Sequence, residues 1–254
     1  MNLQVLLTRL DKLTQTLQSP WLLGVLLSTR VLASTEHRRN LGHDLATVVD
    51  VGANRGQFSL AVRRWSPKAR AIAFEPLPNA AAAFRRVFQG DSKVTLHEAA
   101  IGSGAGEATI HVSGADDSSS LLPISTLQTK LYPGTEEIGT ETVKVGRLSD
   151  FISAKEVVSP ALLKLDVQGY ELDALRGCSE LMQEFDYIIV ECSFMELYGG
   201  QALAHEIIRF LDSHGFALSN VYNLEYDRGG QAVQGDFAFA RLLRVGPGLA
   251  MTRA

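Results

Sequence analysis

From Ala46 onward the chain alternates short apolar runs with stretches whose apolar residues recur every three or four positions. Such alternation marks an α/β domain with a mostly parallel sheet. The runs predict strands at Thr47–Val51, Ala69–Phe74, Val94–His97, Ala161–Leu165, Tyr187–Glu191, Phe216–Tyr222 and Phe237–Arg241. The amphipathic stretches predict helices at Gly56–Trp65, Pro78–Phe88, Leu172–Leu181 and Ala202–His214. The last two strands are joined by the turn-rich Asp227-Arg228-Gly229-Gly230, which predicts a hairpin and an antiparallel last strand. Between Ile101 and Gly146, Glu107–Val112 and Glu141–Val145 alternate like antiparallel strands around a polar centre at 114–120. This stretch reads as an insertion with a loop at its middle. Before Ala46, Leu3, Leu6, Leu7, Leu10, Leu13 and Leu17 form one helical stripe, and Ser19-Pro20 opens a second helix carrying Trp21, Leu22, Leu23, Val25, Leu26 and Leu27. The expected organisation is a helical segment at 1–45, one domain at 46–245 with an insertion at about 101–146, and a tail at 246–254. The N-terminal helices are expected to pack on the main domain. A lid, a homo-oligomer surface and a membrane-surface contact are the other uses open to them.

Composition narrows the class. The 254 residues are 46% hydrophobic, ample for one buried core. A net charge of −4 leaves no basic excess for a phosphate backbone, so nucleic acid is not the expected partner. Cys178 and Cys192 show neither metal-ligand nor redox spacing, so they read as small buried apolar residues in a reduced, cytoplasmic protein. The most apolar stretch, Pro20 to Ala33, is interrupted by Arg30 and falls short of the roughly 18–20 residues a membrane span needs. Asp11 and Lys12 precede it and no clear small-residue cleavage site follows, so no signal peptide is expected.

The first chemical motif is Val48-Val49-Asp50-Val51-Gly52-Ala53-Asn54-Arg55-Gly56-Gln57-Phe58, a strand, a glycine turn and a helix start. Glycines allow a tight turn and close approach to a ligand, and the helix start offers free N–H groups. A pyrophosphate site calls for G-x-G-x-x-G, whereas this turn reads G-A-N-R-G behind an acid. Asp50 suits a ligand with an amino group and a sulfonium better than a pyrophosphate. Glu75, at the end of the next strand, suits a ribose diol because a carboxylate accepts two hydroxyl hydrogen bonds. A second motif runs from Leu162 to Glu171 and places Asp166 at a strand end, with Lys164 on the same face. Glu171 falls in the first helical turn and Glu191 ends the following strand, so three acids are expected on one sheet edge. Glu171 reads equally well as an acid complementing the helix dipole, and Lys164 as a structural or a catalytic partner.

Together these blocks resemble the FkbM family of methyltransferases. The likeness rests on D-V-G-A-N-R-G-Q-F at 50–58, F-E-P at 74–76, A-A-I-G at 99–102, S-S-L at 119–121 and L-K-L-D-V-Q-G-Y-E-L-D-A-L-R-G at 163–177. It spans about residues 46–243. The resemblance implies a Rossmann-like class I methyltransferase fold with a seven-stranded, mostly parallel sheet. It also implies S-adenosylmethionine as methyl donor and O-methylation of a sugar or natural product. Asp50, Gly52, Ala53, Asn54, Gly56, Phe58, Glu75, Pro76, Ala100 and Ser119 are then the expected cofactor residues, and Ala99–Ile101 the adenine wall. Asp166 is the expected proton acceptor or hydroxyl-orienting residue, with Glu171 and Glu191 as further catalytic candidates. The loop at Asp116–Ser120 is placed to cover the site. The family often carries a glutamate where this chain has Gln168, and a neutral amide is no base and a weaker ligand for a divalent metal. No metal residue is assigned, although Asp166, Glu171 and Glu191 could still meet around a cation. Two other readings stay open: a catalytically silent S-adenosylmethionine-binding scaffold and a nicotinamide-dependent oxidoreductase. Cofactor binding without methyl transfer would mark the first, and NADH binding the second.

Overall fold

A computed structural model describes residues 14–38, 41, 44–115 and 117–242. Its centre is a seven-stranded sheet of β1 (Thr47–Val51), β2 (Arg70–Phe74), β3 (Val94–His97), β7 (Ala161–Leu165), β8 (Tyr187–Ser193), β9 (Phe216–Tyr226) and β10 (Ala232–Arg241), in the order β3-β2-β1-β7-β8-β10-β9. β10 runs antiparallel to both neighbours and slots between β8 and β9, while the other contacts are parallel. The three remaining strands, β4 (Ala100–Ile101), β5 (Gly106–Ser113) and β6 (Glu137–Gly146), form a small second sheet. The helices are α1 (Pro20–Thr29), α2 (Gln57–Trp65), α3 (Pro78–Val87), α4 (Thr126–Leu131), α5 (Glu171–Cys178) and α6 (Ala204–Ser213).

β1 and β7 are buried along their whole length, as central parallel strands covered on both faces must be. Alternation divides them cleanly. Val49, Val51, Leu163 and Leu165 face one core with Ala174 and Leu175 of α5. Val48 and Leu162 face another with Phe58, Ala61 and Val62 of α2. Asp50 and Lys164 belong to this second face and are register partners. One step further along the same face come Asp166, Glu191 and Asp236, the last two being register partners across β8 and β10. Strand pairing therefore lays a row of charged side chains along the carboxyl edge, beside the point where the strand order reverses between β1 and β7.

The boundaries depart from the sequence expectation in several places, among them β10, which begins at Ala232 rather than Phe237, and β6, which begins at Glu137 rather than Glu141. The helix expected to reach Leu181 ends at Cys178, followed by a separate turn at Met182–Glu184. The insertion holds α4, a helix too short to show periodicity, capped by the Ser125 hydroxyl. β9 runs on to Tyr226, four residues past the expected end. Of the N-terminal stripe only Leu17 lies among the described residues, where positions 14–17 are helical. α1 follows, with the Ser19 hydroxyl accepting from the Leu22 amide and Pro20 in the first turn. Both cysteines are free and buried. Among the described residues no helix is long and apolar enough to cross a membrane.

Candidate active site

The turn after β1 is set by close packing. Gly52 has φ +80°, and a Cβ there would lie 1.9 Å from the Asp166 carbonyl oxygen. The end of β1 thus presses directly on the loop leaving β7, and only glycine permits it. Gly52 and Ala53 donate their amides to the Phe74 carbonyl, and Asn54 donates its amide to Glu75 Oε2 at 2.9 Å. The other Glu75 oxygen accepts from the Leu77 amide at 2.8 Å. The acid at the end of β2 thereby ties two turns together at the edge of a cavity, and burial pushes its carboxyl up to about 7.

Two cavities open at this edge. One is a narrow, mainly apolar groove of about 90 Å³ between Glu75, Pro76, the Ala99–Ile101 segment and Ile110. The other is a polar chamber of about 390 Å³ walled by His37, Gln128, Tyr132, Lys164, Glu191 and Asp236. They meet at Gly52, Asn54, Asp117, Asp166 and Gln168, which border both.

At the junction, Lys164 Nζ lies 3.1 Å from Asp166 Oδ2 and 3.8 Å from Asp50 Oδ1. Burial works against the ammonium, but these two carboxylates outweigh it and raise its pKa. For Asp166, burial alone would raise the carboxyl; Lys164 and the Gln168 amide outweigh it and hold it below the usual range. Gln168, with φ +55°, donates Nε2 to Asp166 at 2.7 Å and to Glu191 at 3.0 Å. Its oxygen accepts from the Tyr198 hydroxyl at 2.8 Å. Burial, then the nearby Asp166 and Asp236, pushes Glu191 well above the carboxylate range.

Not every expected residue reaches a cavity. Asp50 is fully buried, accepts from the Ser59 hydroxyl at 2.8 Å and borders neither cavity. A direct contact from Asp50 to a ligand amino group is therefore replaced by a place beneath Lys164. Glu171 is also withdrawn: one oxygen accepts from the amides of Val167 and Gly169, so it holds the turn rather than facing a reacting group. Register explains this, since Glu171 sits below the turn while Asp166 and Glu191 share the chamber face. Gly56 (φ +96°) begins α2 against Phe84 and Phe88, away from both cavities. Ala53 and Phe58 border the chamber instead of the groove, with the Phe58 ring 5.4 Å from the Lys164 ammonium. Ala100, Pro76 and Ser119 border the groove, and the Ser119 hydroxyl accepts from the Ser113 amide. Asp116 lies outside the described residues, whereas Asp117 borders both cavities, Ser119 and Ser120 the groove and Ser118 the chamber.

Sequence reasoning missed the far wall of the chamber. Asp236 lies just before the expected strand Phe237–Arg241, and β10 takes it in by beginning at Ala232. His37, whose Nδ1 lies 2.9 Å from the Tyr222 hydroxyl, came from a segment read only for packing. Among the described residues no group of three His, Cys, Asp or Glu side chains is arranged to hold a metal ion.

A seven-stranded, mostly parallel sheet with an antiparallel β10, an acid at the end of β2 and a reversal point between β1 and β7 are the marks of the class I methyltransferase fold. The sequence model of the methyltransferase FkbM domain matches residues 50–218, and the chain belongs to that family. Curated relatives include 2-O-methyltransferase NoeI of Sinorhizobium fredii, 31% identical over 65% of this chain and 71% of the relative. The 31-O-demethyl-FK506 methyltransferase FkbM of Streptomyces tacrolimicus is 28% identical over 67% of this chain and 72% of its own. Hexuronic acid methyltransferase AglP of Haloferax volcanii is 29% identical over 56% and 54%. A crystal structure of methyltransferase FkbM from Methylobacillus flagellatus aligns with a TM-score of 0.48 at 16% identity, over 76% of this chain and 44% of that longer one.

Proposed function

We propose that this protein transfers a methyl group from S-adenosylmethionine to a hydroxyl of a small polar molecule, a sugar or a natural product. The observation that carries the reading is the meeting of an apolar groove and a polar chamber at Asp166 and Gln168. An in-line transfer needs donor and acceptor held on opposite sides of one short gap. The residues fit the donor: Gly52 and Asn54 border the groove with their turn, Ala99–Ile101 offers an apolar wall, and Glu75 offers a carboxylate to a diol. The bound donor supplies an electrophilic methyl on a positively charged sulfur. Asp166, kept ionised by Lys164, accepts a hydrogen bond from the acceptor hydroxyl and turns its oxygen toward the gap. Glu191, joined to Asp166 through the Gln168 amide, is the second group able to share that proton. The O-specific names of two relatives agree with a hydroxyl acceptor. Retention of charged, cavity-facing groups favours catalysis over a silent scaffold.

Calorimetry with S-adenosylhomocysteine and NADH, followed by labelled-methyl transfer to a panel of hydroxylated sugars and natural products, tests the reading. Binding of S-adenosylhomocysteine and alkali-stable label in an ether product are expected. NADH binding without S-adenosylhomocysteine binding would refute it.

A further inference from the structure

The walls of the chamber say more about the acceptor than the reaction type does. Among the described residues Glu36, Glu191, Glu225 and Asp236 border the chamber but not the groove, and Lys164 and His37 are the basic side chains there. Lys164 is already engaged by Asp166 and Asp50. Asp236 is 6% exposed, its one recorded side-chain partner being the Asn223 amide at 3.1 Å. Burial raises the Asp236 carboxyl against His37 and the Asn223 amide, which lower it, and a further carboxylate in the chamber would meet the same desolvation.

A second, independent observation comes from the insertion. Gln128 on α4 is 4% exposed and borders the chamber, and its side-chain oxygen has no hydrogen-bond partner. A buried carbonyl oxygen left without a donor is destabilising. A ligand hydroxyl or ammonium hydrogen in the chamber would meet that need, whereas a carboxylate or phosphate group set against it would not. Tyr132, one turn further on, donates its hydroxyl to Glu225 at 2.6 Å, so this wall is fixed to the β9 edge.

We propose that the chamber selects an acceptor that carries no negative charge and presents several hydroxyl or ammonium hydrogens, with the Gln128 oxygen accepting one of them and the poorly solvated, acid-lined walls disfavouring an anion. This rests on the methyl-transfer reading and narrows its substrate class to neutral or amino-bearing polyols. Acidic sugars and phosphorylated acceptors are excluded.

The test uses the full chain saturated with S-adenosylhomocysteine and three probes on one ring: methyl glucoside, methyl glucosaminide and methyl glucuronide. Ligand-observed NMR titration gives each affinity. The glucoside and glucosaminide are expected to bind and the glucuronide to bind at least about tenfold more weakly. Asp236→Asn should narrow that gap, and Gln128→Met should weaken the glucoside about tenfold while S-adenosylhomocysteine binds as before. Glucuronide binding equal to that of the glucoside overturns the proposal, and so does no binding of any ring to the loaded protein. Failure to bind S-adenosylhomocysteine at all is a different result and strikes the methyl-transfer reading itself. The wild-type comparison of the three rings stands even if a variant does not fold.

Discussion

Two acids at the ends of the strands flanking β1 behave differently because their partners differ. Asp166 faces Lys164 at 3.1 Å and stays ionised, whereas Glu75 meets only backbone amides and burial lifts it to about 7. In the proposed reaction Asp166 serves the chemical step. Asp166→Asn keeps the shape and one accepting oxygen but removes the charge, so turnover at saturating donor should fall about 10²–10⁴-fold. S-adenosylhomocysteine affinity should change little, and the two constants measured on one variant decide the matter. Weak cofactor binding with a near-normal maximal rate would assign Asp166 to binding instead. For Glu75 the sign follows from the ligand. A diol donates to the carboxylate, so binding favours the ionised form. Below about pH 7 the free protein holds a proton there that binding must release, so affinity should drop by up to about tenfold per pH unit. The groups nearest in charge, Asp50 and Lys164, pull this titration in opposite directions. Glu75→Gln should flatten the calorimetric pH profile and weaken binding above neutrality by about 1.5–3 kcal/mol. A profile that keeps its slope in the variant places the titrating group elsewhere.

At the scale of elements, the parallel strands and their glycine turns were legible because buried strands and amphipathic helices carry distinct periods. The expected β1, β3 and β7 coincide with the observed spans, and β2 differs by one residue. What the period could not reveal was pairing across strands distant in sequence. Asp236 meets Glu191 only through the β8–β10 register, and Glu171 turns away only because its helix begins beneath the turn. The insertion was legible as two strands but not as a wall, since Gln128 and Tyr132 sit on a helix of six residues. Two hydroxyls tie it to the junction at Gln168. The Ser120 hydroxyl donates to the Gln168 carbonyl at 2.6 Å, and the Tyr198 hydroxyl contacts both the Ser118 carbonyl at 3.1 Å and the Gln168 side chain. Tyr198→Phe keeps the ring that packs on Gly169 and removes only the link between loop and junction. It should lower stability by about 1–3 kcal/mol and weaken S-adenosylhomocysteine binding, because Asp117 and Ser119 border the groove. Urea denaturation and calorimetry read the two effects. Unchanged cofactor affinity would mean that the loop holds its place without Tyr198.

Across the whole molecule, the segment before β1 is built into the domain. Leu22 of α1 is 3% exposed and packs with Val31, Ala33, Leu60, Phe84 and Phe88, in the same cluster as Ala53 of the turn after β1. Further along, Ser34 and His37 border the chamber, while among the described residues none before Val51 borders the groove. The described part of the segment therefore supports the turn after β1 from behind and helps wall the chamber. Leu17, Trp21 and Leu27 remain exposed, so α1 rests on the domain through a narrow strip that includes Leu22. If that strip belongs to the common core, Leu22→Ala should lower the stability of the entire domain by about 2–5 kcal/mol, the range for a buried leucine truncated to alanine. The loss should appear as one shifted unfolding transition, followed together by far-ultraviolet circular dichroism and by tryptophan fluorescence. Trp21 lies on α1 and Trp65 ends α2, so fluorescence samples both sides of the contact. An independent appendage would behave otherwise: the fluorescence of Trp21 would change early and the main transition would keep its midpoint. That separation of the two probes would remove the N-terminal segment from the core and leave the chamber wall at His37 to be held by its contact with Tyr222.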